Sequence, residues 1–195
     1  WFVGGFIVLG LFLVLSLIFL HQENLWASKH FLESFYMFIL SEVLLFGSLL
    51  TGCLWFIDED KIALSHYLEV PLLGTALLIG SSFTVSLFHS NILVSNTSKN
   101  LMLLITIVLG VFFILLQGVE FEECLWGFSS SSYYGCCFSV ISLHLSHVIV
   151  GLVLLSILYF SVDGLIKSYY LDLVVIYWHF VDYVWLFVYF IVYII

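Results

Sequence analysis

Leu101-Met-Leu-Leu-Ile-Thr-Ile-Val-Leu-Gly-Val-Phe-Phe-Ile-Leu-Leu-Gln-Gly-Val119 carries neither charge nor proline. Its length suits a bilayer core of about 30 Å, which needs roughly 20 residues of helix. Comparable stretches run from Phe2 to Leu20, Glu33 to Ile57, Val70 to Ser90, Tyr134 to Ser161 and Leu173 to Ile195. None shows the polar-at-every-second-position alternation of a membrane barrel, and helices are the other way to satisfy a backbone in lipid. The expected fold is all-α, a polytopic membrane protein with a six-transmembrane-helix bundle. It forms a single membrane domain over residues 1–195, with an amino-terminal helix at 2–20 and a five-helix bundle over 33–195.

Composition points the same way. Of the 195 residues 64% are apolar and 9% charged, against roughly 45–50% and 25% in soluble domains. A water-soluble globule cannot cover itself with so few polar groups. Nucleic-acid binding needs clusters of Lys and Arg, and Lys and Arg together number four, all lysine. The net charge of −9 does not describe a surface field, because the acids sit in short loops. Cys53, Cys124, Cys136 and Cys137 show no zinc or C-x-x-C spacing. The segment Trp1–Leu20 has no basic leader region or small-residue cleavage site.

The loops set an orientation. With six spans, Lys29, Lys99 and Lys167 fall on one side. Lys61 falls on the other, with Asp58, Glu59, Asp60, Glu69, Glu120, Glu122 and Glu123. The positive-inside rule places the first set inward and both termini outward. Pro71 opens the third span, where its missing N–H costs nothing.

Ionisable residues inside spans are costly and therefore informative. Glu42 lies deep in the second span, either protonated or paired. It is a neutral contact between helices or a proton- or lipid-related site. His144 and His147 share one face of the fifth span, and His179 and Asp182 one face of the sixth. Histidines so spaced could ligate a metal, but haem needs facing histidines and cations near its propionates, which are scarce here. Polar helix–helix contacts are the plainer reading, with His179 and Asp182 as a couple. His89 reaches the inner interface. Gln117, Glu120, Phe121, Glu122, Glu123 and Trp126 read as an interfacial aromatic belt with solvated acids. Gly80-Ser-Ser82, Gly135 and Gly151 allow close helix approach.

Taken together, these strings resemble a known family. Tyr177-Trp-His-Phe-Val-Asp-Tyr-Val-Trp-Leu-Phe-Val-Tyr189 resembles the carboxy-terminal signature of cytochrome c oxidase subunit III. Ser41-Glu-Val43, Leu68-Glu-Val-Pro-Leu-Leu73 with Thr75, Leu109-Gly110 with Leu115-Leu-Gln117 and Glu120-Phe121, and His144 with His147-Val-Ile-Val-Gly151 are similar to its other anchors. They fall in family order over about residues 35–195. The resemblance implies a non-catalytic subunit of the mitochondrial respiratory complex IV, in the inner membrane with both termini toward the intermembrane space. Subunit I and other complex IV subunits would be its protein partners. No cofactor is expected on this chain, haem a and copper belonging to partner subunits, and bound phospholipid is expected.

The resemblance implies roles for individual residues. Glu42 is the family's buried carboxylate linked to proton uptake. His144, His147, His179 and Asp182 form an interior polar network. Lys29, His30, His89 and Lys167 are candidate lipid-headgroup contacts. There are departures. The family has seven helices, so its first is expected to be missing or supplied by a separate polypeptide. Its His-His-Ser reads Phe88-His-Ser90, and its arginines are absent. The competing functional class is an independent transporter or proton channel using Glu42, His147 and Asp182.

Overall fold

Among the described residues, apolar runs bounded by polar residues become five helices: α1 Leu32–Trp55, α2 Val70–Ser90, α3 Asn96–Glu123, α4 Ser132–Phe160 and α5 Ser168–Tyr189. A π-helical turn, Phe190–Ile194, follows α5. The computed structural model describes residues 32–57, 68–90, 96–124, 131–160 and 168–195. The span expected at Phe2–Leu20, with Lys29, His30, Lys61 and Lys167, lies outside the described residues, as does the side chain of Lys99. Contacts divide the chain into a unit of residues 1–37 and a unit of residues 38–195. The second unit holds most of α1 and all of α2–α5.

All five helices are long and apolar enough to cross a membrane, and no strand occurs among the described residues. The expected α2 boundaries match those observed. Helix α3 outruns its apolar window at both ends, because a helix continues into the interface after its hydrophobic stretch stops. In-span hydroxyls are satisfied locally. Ser41, Ser48, Thr51 and Ser139 donate to carbonyls three or four residues back, at 2.7–2.8 Å.

The distribution of polarity is the reverse of a soluble protein's. Phe83, Leu115, Phe160 and Phe187 face outward, while Thr75, Ser81, Thr106, Gln117, Glu120, His144 and Asp182 are buried. Lipid is as apolar as leucine, so burial of apolar surface gives little drive to pack helices. Close fit and interhelical hydrogen bonds supply it instead.

Trp178 of α5, fully buried, is where that fit is tightest. Its indole Nε1 donates to Ser81 Oγ of α2 at 3.0 Å. A Cβ on Gly151 of α4 would stand 2.8 and 2.9 Å from the ring. One on Gly110 of α3 would stand 3.0 Å from the ring and 2.7 Å from Leu152 Cδ2. Two turns further along α5, Trp185 meets Phe113 edge-on at 4.8 Å and closes over Gly74 of α2. Thr84 and Thr106 add a 2.7 Å hydroxyl bond between α2 and α3.

Helix α1 reaches the rest through side chains. Near its end Cys53 Sγ lies 3.9 Å from Cys137 Sγ of α4, and Phe46 meets the His147 ring at 5.3 Å. Between α1 and α5 lies an apolar cavity of about 620 Å³, lined in part by Val43, Phe46, Leu50, Phe180 and Phe187.

The packing around Trp178 predicts asymmetric tolerance among glycines. Gly151→Ala drives a Cβ into a rigid ring and should cost about 1–3 kcal/mol. Gly118→Ala, with nothing within 4 Å of the added carbon, should leave stability unchanged. Thermal unfolding of the two variants in detergent measures the contrast.

Candidate functional site

Glu42 lies in mid-helix on α1, and His147 on α4. Although 105 residues apart, they meet at 3.0 Å between Oε2 and Nε2. The pair is mostly buried, with side chains 18% and 13% exposed. His147 Nδ1 donates to the Leu143 carbonyl at 2.8 Å. A carbonyl only accepts, so Nδ1 carries a proton and Nε2 is left to face the carboxyl. The Nε2–Oε2 bond then holds one shared proton, placed either on the acid as a neutral couple or on the imidazole as an ion pair. Phe46, Tyr177 and Phe180 rings surround the imidazole at 5.3–6.5 Å and restrict water.

One turn away, His144 turns toward α5. Its Nε2 donates to the Val181 carbonyl at 3.1 Å, and its ring contacts Phe113 and Trp185 at 5.8 and 4.9 Å. The two histidines on one face of α4 thus serve two different neighbours, α1 and α5.

His179 and Asp182 do not form the couple that their spacing suggests. His179 Nδ1 meets Ser82 Oγ at 2.8 Å and Nε2 meets Ser86 Oγ at 3.3 Å. Both oxygens of Asp182 lack a hydrogen-bond partner among the described residues. The physical reason is that the face of α5 they share packs on α2, whose serines intercept the imidazole. His89, read as an interfacial group, pairs with Asp172 of α5 at 2.9 Å, each about half exposed.

At the other end of the bundle, Gln117 and Glu120 correct the expectation of solvated acids. They are 3% and 4% exposed, and Gln117 Nε2 donates to Glu120 Oε2 at 2.6 Å. The π-helical turn after α5 sets buried Tyr193 beside both. Glu122 is exposed, as a solvated acid would be, while the side chain of Glu123 and the whole of Trp126 lie outside the described residues. The Gln-x-x-Glu spacing on one helical face was the available signal. Just past α3, partial burial and the nearby Glu120 push the Cys124 thiol above its ordinary range. No three His, Cys, Asp or Glu side chains among the described residues are arranged to hold a metal ion.

Polar groups facing inward between apolar spans define a polytopic α-helical membrane protein whose interior is tied together by interhelical hydrogen bonds. The profile of the cytochrome c oxidase subunit III family matches residues 13–195, and the chain belongs to that family. It is similar to cytochrome c oxidase subunit 3 of Syncerus caffer, with 34% identity covering 78% of this chain and 65% of the relative. The protein of the same name from Hippopotamus amphibius is 33% identical over the same shares. That from Myxine glutinosa is 36% identical, over 64% of this chain and 50% of the relative. The chain therefore spans between half and about 65% of the length of these relatives.

The Glu42–His147 geometry predicts a measurable coupling. In a double-mutant cycle with Glu42→Ala and His147→Ala, the pair should contribute about 1 kcal/mol of interaction. Additive effects on stability would mean that the two side chains do not interact.

Proposed function

We propose that this chain is a core, membrane-embedded subunit of mitochondrial cytochrome c oxidase. It supports electron transfer from cytochrome c to oxygen without carrying a redox centre of its own. The observation that carries this reading is the family match over residues 13–195. In this reading the chain sits in the inner membrane, packs on subunit I and binds phospholipid. Its outward apolar residues and its long spans suit contact with lipid and with a partner's helices. His89, with Lys29, His30 and Lys167, supplies headgroup contacts on the inner side.

Glu42 serves proton uptake in this proposal. Support comes from its position: a carboxyl sharing one proton with His147 at 3.0 Å, screened from water by aromatic rings, can take up or release that proton without leaving a bare buried charge. His144 and His179 are interior contacts that join α4 and α5 to their neighbours, and Asp182 lies buried on the same face of α5 as His179.

Purification of the tagged chain tests the proposal. It should bring down haem a and the subunits that bear it, and isolation of a stable chain without them would overturn the reading. Glu42→Gln should leave subunit content intact and initial oxygen reduction within about twofold of the parent, since no electron passes through this chain. Activity should then decline sooner during turnover. Complete loss of initial activity in a fully assembled complex would contradict the assignment.

A further inference from the structure

The α2–α5 seam carries a row of polar groups, so far given only structural and headgroup roles, whose hydrogen bonds run on continuously from one to the next. It begins at the end of the bundle where α2 stops and α5 starts, with His89 Nε2 and Asp172 Oδ1 at 2.9 Å and both side chains about half exposed. One helical turn inward on α2 is Ser86, whose Oγ lies 3.3 Å from His179 Nε2. On the far side of that ring, Nδ1 meets Ser82 Oγ at 2.8 Å. Ser82 in turn lies beside Asp182. That carboxyl is 5% exposed, and neither of its oxygens has a partner among the described residues.

A buried carboxylate without a cation or donor is strongly disfavoured. Burial of a polar group in this way calls for an explanation rather than a description. The hydrogen bonds around it supply one. Ser86 Oγ already donates, to the Ser82 carbonyl at 2.9 Å, so it can only accept from His179, and Nε2 therefore carries the imidazole proton. Nδ1 is then an acceptor, and Ser82 Oγ donates to it. Ser82 Oγ keeps a free lone pair, and the Asp182 carboxyl beside it has no other donor among the described residues. Every group in the row is satisfied when Asp182 carries a proton and gives it to Ser82 after a small rotation of the carboxyl.

We propose that Asp182 is a proton-holding site, exchanging its proton with one membrane face through Ser82, His179, Ser86 and the His89–Asp172 pair. The exchange balances step by step. The Asp182 proton moves to Ser82 Oγ, the Ser82 proton to His179 Nδ1, the His179 Nε2 proton to Ser86 Oγ, and the Ser86 proton to His89, one turn of α2 away, through a water that the proposal itself supplies. One proton leaves at the exposed end, and Asp182 becomes a carboxylate that accepts from Ser82. Return of a proton along the same row restores the first order of bonds. The row involves neither Glu42 nor His147, so it is separate from the pair assigned to proton uptake.

Infrared spectroscopy of the purified complex containing this chain, transferred from H2O to D2O, tests the proposal. The parent minus Asp182→Asn difference should contain the carbonyl stretch of a protonated carboxyl, which shifts on deuteration. In Ser82→Ala the band should persist while its exchange slows by about tenfold or more. Ser156→Ala, whose hydroxyl bonds only its own helix at Leu152, should exchange as the parent does. Absence of a carboxyl band from the difference, or unchanged exchange in Ser82→Ala, would overturn the proposal. Should Asp182→Asn not assemble, the Ser82→Ala comparison decides alone, because only the proposal requires a carboxyl that exchanges quickly in the parent and slowly in that variant. Subunit content, measured on the same samples, reports separately on membership of the oxidase.

Discussion

The bundle depends on one indole reaching three helices at once. Trp178 can bond Ser81 while pressing against α4 and α3 only because residues 110 and 151 have no side chain. In water such a contact would be one contribution among many. In lipid, where apolar burial gives little net drive, a large rigid ring fitted to two bare stretches of backbone and held by one hydrogen bond fixes both the distance and the rotation of four helices. Trp185 repeats the arrangement two turns on, with Gly74 and Phe113. Between these levels the imidazole of His144 finds its place, and the Thr84–Thr106 bond joins α2 and α3 one turn beyond Trp178.

That rotation decides which polar side chains meet. Once α5 turns Trp178 and Trp185 inward, His179 and Asp182 must face α2. Once α4 turns Gly151 toward Trp178, His147 points at α1. Helix α1 is tied to the rest by polar and thiol contacts rather than by an aromatic hub, and an apolar cavity separates much of it from α5. Its position therefore rests on fewer contacts than that of any other described helix.

The spans were legible because about twenty apolar residues with at most one or two charges admit few interpretations, and Pro71 marked the start of α2. Which face of each span turns inward was not legible. In a uniformly apolar helix every face suits lipid or core equally, so periodicity carries little information. Glu42 and His147 each stood out as polar groups inside a span, but their meeting depends on the relative rotation of helices far apart in sequence. His179 and Asp182 misled because spacing along one helix says nothing about competitors on the next, and Ser82 and Ser86 look like ordinary small residues. Glu120 misled for the opposite reason. At the end of a span an acid looks solvated, and only the fold showed Gln117 and Tyr193 around it.

The wide turn at Phe190–Ile194 closes on a bond from Ile195 N–H to the Phe190 carbonyl at 3.1 Å. Such a turn accommodates one residue more than a regular α-helix would in the same length. The extra residue brings Tyr193 round to the ring-bearing face that precedes it, with its ring 6.4 Å from that of Trp185. The wide turn acts as a spacer of one residue: it keeps one face of the helix turned inward from the two tryptophans in the membrane interior to Tyr193, beside Gln117 and Glu120, at its edge.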